Sequence, residues 1–320
     1  MKKTIVCLVG PTASGKTAVA LALAKKINAE IISCDSMQVY QGADIASAKP
    51  TKAQRKKIAH HLLDVVRPSQ EYNAERFRRL AEKIIAQIHH RRKIPLIVAG
   101  TGLYLRSLLD GIFTGPGQNR TVRKKLTELT QQCGSEYCYK KLRQIDPVAA
   151  AAIHPHDLRR IIRALEVYQL SGKTITELRK GTRGIREKYT VYIFGLMRQR
   201  DELYRRIEQR VEAMFKKGLV KEMERLAKQR ISKTARSLLG YKQVLGFIQG
   251  EYSRAQAKRL LALHTRRYAK RQMTWFRKEK GLEWIAVNPE DTAQQIANKI
   301  AASIPKTMLI TSEPVNSRTR

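Results

Sequence analysis

Gly10-Pro11-Thr12-Ala13-Ser14-Gly15-Lys16-Thr17 matches G-x-x-x-x-G-K-[ST], the pattern of a loop that cradles phosphates. The glycines let the backbone curl so that N–H groups point inward, and the N-terminus of a following helix adds partial positive charge. Lys16 brings a full charge to phosphate oxygens, and the Thr17 hydroxyl is a ligand for Mg²⁺. The motif also belongs to ATP-binding proteins, so on its own it specifies a diphosphate or longer and leaves the reaction open.

Asp35 and Thr101 are the next residues with chemical potential. Asp35 follows a predicted strand, and Thr101 follows another within Ala99-Gly100-Thr101-Gly102. Ligands in open α/β sheets sit beyond the carboxyl ends of the strands, so both are expected to face the mouth of the phosphate loop. A carboxylate there suits water-mediated Mg²⁺ binding or general-base work. The plainer readings are a turn or cap aspartate and a turn hydroxyl.

The elements that must position these residues alternate in the first third of the chain. Apolar runs predict strands over Thr4 to Val9, Glu30 to Cys34 and Ile94 to Ala99. Helical spacing predicts helices over Lys16 to Ile27 and Glu75 to Gln87. This pattern argues for an α/β fold, a parallel sheet flanked by helices as in phosphate-loop NTPases. After Gly115-Pro116-Gly117 the chain is helical and basic from Arg120 to about Lys180, and a strand follows over Tyr189 to Leu196. The prediction is a discontinuous core, residues 1–114 and 189–304, with an all-helical insertion at 115–188. From Arg200 to about Lys280 the chain again reads as helical, with Leu203, Ile207, Val211 and Met214 on one stripe. A strand over Glu283 to Val287 and a helix ending near Ser303 follow. The polar tail, 305–320, is expected to be loose.

Bulk composition narrows the partner. The chain has 320 residues, 63 Lys+Arg and 27 Asp+Glu, for a net charge of +36. That excess opposes compaction by self-repulsion and points to a polyanionic partner, with a nucleic acid the best fit. No apolar run is long enough to span a membrane, and neither a signal peptide nor a basic amphipathic anchor is evident. Cys7, Cys34, Cys133 and Cys138 form no C-x-x-C pair, which suits a reduced, cytoplasmic protein without a metal cluster. His60 and His61 are adjacent and would point apart on a regular element, so a structural role is expected. Nothing demands an obligate protein partner, and a monomer is expected.

Several blocks taken together resemble the tRNA dimethylallyltransferase (IPP transferase) family. They are the phosphate loop, Asp35-Ser36-Met37-Gln38-Val39-Tyr40, Lys49-Pro50, His61-Leu62-Leu63-Asp64 and Gly100 to Leu105. Further blocks are Asp146-Pro147, Ile153-His154-Pro155, Arg160 to Val167, Gly240-Tyr241, Tyr268 to Gln272 and Thr274-Trp275-Phe276. No zinc-finger extension follows, so the chain is similar to the bacterial form. The resemblance implies transfer of a dimethylallyl group from dimethylallyl diphosphate to N6 of the adenosine 3′ to the anticodon, with Mg²⁺ and a tRNA anticodon stem-loop as partners.

The resemblance also implies roles. Lys16, Thr17 and the loop from Gly10 would hold the diphosphate, Arg210 would clamp it, and Thr101 would hydrogen-bond the bridging oxygen of the donor. Asp35 would be the base toward N6. The adenosine must leave its stack for this chemistry, and Asp35, Ser36, Met37 and Gln38 would line its pocket. Thr101 and Arg123 are matched to tRNA contact as well, together with Arg159, Arg160, Ile161, Ile162 and Arg163 on a helix capped by Asp157. Family blocks commonly carry Gln at the position of Arg159. The mixture of basic residues with Tyr268, Trp275 and Phe276 suits unstacked bases, although burial of Trp275 and Phe276 in a core is the plainer expectation. Two other functions share some of these features: an ATP-dependent small-molecule or nucleoside kinase, and a non-catalytic RNA-binding protein.

Overall fold

The computed structural model describes residues 2–309. In chain order the first part runs β1 (Thr4–Val9), α1 (Lys16–Lys26), β2 (Ala29–Cys34), α2 (Lys52–Lys57), β3 (His60–His61), α3 (Ala74–His90), β4 (Ile94–Ala99) and α4 (Gly102–Leu109). Four helices follow: α5 (Arg120–Ile145), α6 (Pro147–Ala151), α7 (Leu158–Ser171) and α8 (Ile175–Arg179). The chain then continues through β5 (Thr190–Met197), α9 (Arg200–Lys216), α10 (Leu219–Ala227), α11 (Tyr241–Ile248), α12 (Arg254–Phe276), β6 (Leu282–Ala286), α13 (Ala293–Ala302) and α14 (Lys306–Leu309).

The chain forms two compact units, residues 1–109 with 185–320, and residues 110–184. The first is built on a six-stranded sheet in the order β3-β2-β4-β1-β5-β6, parallel at every pairing. β1 and β2 are buried at every residue, as expected for parallel strands covered on both faces. On one face α1 and α13 pack Leu23, Ile296 and Ile300 against Leu8, Leu96 and Phe194. Burying each such side chain contributes about 1.5–3 kcal/mol. The two-residue strand β3 was not foreseen: its sequence is His-His, without an apolar run, and it exists only because β2 offers its edge.

The helical stretch after β5 is interrupted where glycines at Gly218 and Gly240 take left-handed φ angles of 95° and 90°. Leu203, Ile207, Val211 and Met214 are buried as the spacing predicted. Of the tail expected to be loose, Lys306–Leu309 forms a helical turn, with Met308 and Leu309 packed on the core, because their apolar side chains complete the face left by Ile304. Residues 310–320 lie outside the described residues.

The second unit is helical throughout its regular structure. Leu126, Cys138, Leu142, Ile161, Leu165 and Val167 form its core. Gly134, at φ 81°, breaks α5 into two segments. Asp157 caps α7 by accepting the N–H of Arg160.

Candidate active site

β1, β4 and β2 lie side by side, with β4 in the middle. The loop 10–17 leaves β1, Gly100-Thr101 leaves β4, and Asp35 leaves β2. At about 4.8 Å per strand spacing, the ends of β1 and β2 are separated by about 10 Å. All three segments therefore meet at one end of the sheet. A cavity of about 760 Å³ opens there, reached by Lys16, Thr17, Asp35, Gln38, Arg206, Arg210, Tyr268 and Arg271.

The phosphate loop has the shape its residues require. Gly10 has φ 150°, and a Cβ there would lie 3.1 Å from the Leu196 carbonyl. Gly15, at φ 102°, opens α1 without a side-chain cap, so the first N–H groups of that helix are left for a ligand. Lys16 Nζ donates to the carbonyls of Gly10 and Pro11, both at 2.8 Å. Part of Lys16 faces the cavity, yet enclosure of the ammonium pushes its pKa down to about 7; Asp35 opposes the shift and Arg210 adds to it. Burial likewise lowers the pKa of Arg210, again against the pull of Asp35. Arg210 is thus a cavity residue on α9 rather than a solvated helix arginine.

Asp35 divides its two oxygens between tasks. Oδ1 accepts the N–H groups of Met37, at 2.8 Å, and Gln38, at 3.3 Å. This is the turn role that aspartate commonly plays. Oδ2 lies toward Gly100, where an added Cβ would come within 2.8 Å of it. The carboxylate thus holds its own loop with one oxygen and lines the cavity as well. The turn reading of Asp35 holds, and the same residue also faces the cavity.

Two of the expected site residues also make bonds within the protein. Thr101 Oγ1 accepts the Ser36 N–H at 3.0 Å and donates to Ser36 Oγ at 3.2 Å. The hydroxyl ties the end of β4 to the loop after β2, and it also meets the hydroxyl of Tyr268, which lines the cavity. Gln38 reaches the cavity, but its Nε2 donates to the carbonyls of Ser47 and Ala48 at 3.3 and 3.4 Å, and its Oε1 accepts Ser33 Oγ at 2.8 Å. Its amide is engaged by protein at both ends, which leaves less of it for a base edge.

In the helical unit the matched residues separate into two groups. Arg159 and Arg160 are exposed on α7, with Arg160 Nε 3.2 Å from Asp157. Arg123 and Arg163 instead converge on Glu166, which is fully buried, at 2.9 and 2.7 Å. Ile161 is fully buried in the core of that unit, where its apolar bulk belongs, and its N–H donates to the Asp157 carbonyl; Ile162 is half-buried.

Several residues that shape the site carried no local signal. Arg206 donates to the Ala13 carbonyl and Arg198 to the Ser14 carbonyl, each at 3.0 Å, bracing the phosphate loop from α9 and the end of β5. Glu222, buried on α10, accepts the N–H groups of Asp44, Ile45 and Ala46 at 2.8–2.9 Å and so shapes a wall of the cavity. Lys49, from one of the blocks that carry the resemblance, is buried too, bonded to Asp44, Asp64 and the Tyr40 carbonyl. His61 pairs with Glu30 at 2.7 Å, the structural role expected of it. Phe276 is fully buried, while Trp275 is half-buried under the guanidinium of Arg106. The four cysteines are free thiols.

The Thr17 hydroxyl and the Asp35 carboxylate, both lining the cavity, are oxygen ligands that suit a hard cation such as Mg²⁺. Among the described residues no group of three or more His, Cys, Asp and Glu is arranged to hold a metal. A cation here would take most of its ligands from phosphate and water.

Fold and site together define a phosphate-loop α/β protein with a cationic cavity and one carboxylate. A sequence model of the IPP transferase family matches residues 38–279. A tRNA dimethylallyltransferase of Halothermothrix orenii is 43% identical over 291 residues, spanning 90% of this chain and 89% of that protein. The crystal structure of a tRNA isopentenylpyrophosphate transferase from Bacillus halodurans aligns with a TM-score of 0.68 at 37% identity, covering 94% of this chain and 96% of the other. A eukaryotic dimethylallyltransferase, crystallised acting on tRNA, aligns at a TM-score of 0.78 and 27% identity, over 99% and 81% of the two chains. This chain belongs to the IPP transferase family.

Proposed function

We propose that the chain is a tRNA-modifying prenyltransferase that moves the dimethylallyl group of dimethylallyl diphosphate to N6 of the adenosine 3′ to the anticodon, releasing diphosphate. The observation that carries this reading is that the phosphate cradle and Asp35 face a single cavity. A diphosphate leaving group needs fixed positive charge where its negative charge develops. Lys16, Arg210 and the open N–H groups of α1 supply it. Mg²⁺, held by Thr17 and phosphate oxygens, would neutralise further charge on the leaving group.

The N6 lone pair is delocalised into the adenine ring, so the amine is a poor nucleophile. Asp35 accepts its proton as the C–N bond forms and the allylic C–O bond breaks. In this scheme Oδ1 keeps the turn and Oδ2 takes the proton. Thr101 holds Ser36, and its hydroxyl, beside Tyr268, is also assigned to hydrogen-bonding the bridging oxygen of the donor. Arg159 and Arg160, both exposed, are assigned to phosphates of the RNA, whereas Arg123 and Arg163 first serve Glu166. No described helix is long and apolar enough to cross a membrane, and we place the reaction in the cytoplasm, with its tRNA substrate.

The kinase alternative has no support among the relatives described, all of which are transferases acting on tRNA by name. The test is incubation with labelled dimethylallyl diphosphate, Mg²⁺ and unmodified tRNA, with and without ATP. Label entering tRNA without ATP is the expected result. Phosphate transfer from ATP, or tight tRNA binding with no transfer, would overturn it.

A further inference from the structure

α12 carries a side chain that joins the two halves of the cavity. Gln272 is buried, with 6% of its surface exposed, between Ala269 one turn before it and Phe276 one turn after. An apolar residue would fill that stripe without desolvating an amide. A buried amide is retained at such a place only when its partners are specific, because an unpaired one is costly. Gln272 has two such partners. Its Oε1 accepts the N–H of Thr12, in the phosphate loop, at 2.8 Å. Its Nε2 donates to the carbonyl of Gly100, at the end of β4, at 2.7 Å. The amide orientation is fixed by chemistry: the loop offers a donor and Gly100 an acceptor, so only this arrangement satisfies both.

Both partners sit on the chemistry without performing it. The Thr12 N–H is spent on Gln272 of α12, which fixes the path of the loop ahead of Lys16. Gly100 abuts Asp35 Oδ2 so closely that a Cβ there would meet it at 2.8 Å. A single rigid amide therefore spans from the leaving-group side to the base side, above the level at which the sheet itself holds the strands.

We propose that Gln272 is a positioning residue that sets the spacing between the phosphate cradle and the Asp35 carboxylate. The kinetic consequence rests on the transferase reading above; the structural consequence does not. In Gln272→Met, of similar length and without hydrogen bonds, cradle and carboxylate shift relative to each other. Misplacement by about 1 Å costs on the order of 10²-fold in rate. The variant is expected to lose about 30- to 100-fold in kcat with tRNA prenylation as readout, while KM for dimethylallyl diphosphate and tRNA affinity change little. Hydrogen exchange followed by mass spectrometry is expected to show faster deuteration of the peptide containing Thr12.

Gln272→Glu supplies a second readout and covers the case in which the Met variant does not fold. Ionised, the introduced carboxylate keeps the acceptor for Thr12 but opposes the Gly100 carbonyl; protonated, it donates to that carbonyl and restores both bonds. The ratio of its kcat to that of the wild type is expected to rise as pH falls, because protonation of the introduced carboxylate restores the bond to the Gly100 carbonyl. Unchanged kcat in Gln272→Met, a KM increase without a kcat loss, or a ratio that stays flat with pH would overturn the proposal. If the wild-type protein fails to prenylate tRNA, the transferase reading falls while the exchange measurement still decides whether the clamp exists: unchanged deuteration means it does not.

Discussion

Lys16, in the segment that follows β1, and Asp35, in the segment that follows β2, face the same cavity, and β4 lies between those two strands. The negative charge of Asp35 works against the enclosure that lowers the pKa of Lys16. In the proposed reaction the cation would meet the departing diphosphate and the anion the attacking amine, so the opposed charges suit the opposed ends of a displacement. This separation of roles distinguishes the site from a bare phosphate loop.

Replacing Asp35 by Asn separates its two tasks. Asn preserves an acceptor for the Met37 and Gln38 N–H groups and removes the base. Turnover is expected to fall by about 10²- to 10⁴-fold, with tRNA affinity unchanged in a filter-binding or fluorescence titration. A collapse of affinity with turnover per bound complex preserved would show that Asp35 only holds the loop.

The pH dependence of donor capture follows from Lys16. With its pKa pushed down to about 7, the free protein loses this ammonium as pH rises through neutrality, and the diphosphate binds the protonated form. The value of kcat/KM for dimethylallyl diphosphate is expected to decline above about pH 7, approaching tenfold per pH unit. In Lys16→Met the whole profile drops and that limb disappears. Steady-state kinetics from pH 6 to 9 checks both, within roughly the range where a lowered lysine titrates.

Glu222 holds a wall of the cavity through three backbone N–H groups. Glu222→Ala leaves these donors unpaired except where water reaches them, at a cost of about 2–4 kcal/mol. Glu222→Gln keeps one acceptor oxygen and is expected to cost less. Urea unfolding of the two variants orders them, and a loss confined to activity would show that the loop is not stabilised by this carboxylate.

In the helical unit, burial works to raise the pKa of Glu166, but hydrogen bonds from Arg123 and Arg163 outweigh it and hold the carboxyl below its usual range. A depressed carboxyl stabilises the fold above its unfolded-state pKa, and that contribution is lost as pH falls through the folded-state value. Glu166→Ala is expected to cost about 3–5 kcal/mol near neutral pH by stranding two guanidinium groups, and progressively less in acid. Chemical denaturation at neutral and acid pH tests the sign.

Much of this architecture was legible in the chain. The ends of β1 and β4 matched the predicted runs, and α1 and β2 differed from prediction by a residue, because buried parallel strands and the helix after a phosphate loop obey local rules. Asp35 was placed at its strand end for the same reason. The short strand β3 and the docked turn α14 were missed because each depends on an edge or a face supplied by a distant segment. Ile161 was matched to tRNA contact, yet its apolar side chain lies in a core.

The amino-acid order by itself determined the phosphate cradle, the strand-helix rhythm and the charge that calls for a polyanion, since each follows from the preferences of neighbouring residues. Tertiary structure alone decided that Gln272 reaches Thr12 and Gly100, that Arg206 and Arg198 brace the loop, and that the Thr101 hydroxyl turns to Ser36. A hydrogen bond forms only within a few tenths of an ångström of its proper length. Between residues far apart in the chain, that placement comes from helices packing over the ends of the sheet, and no local pattern encodes it.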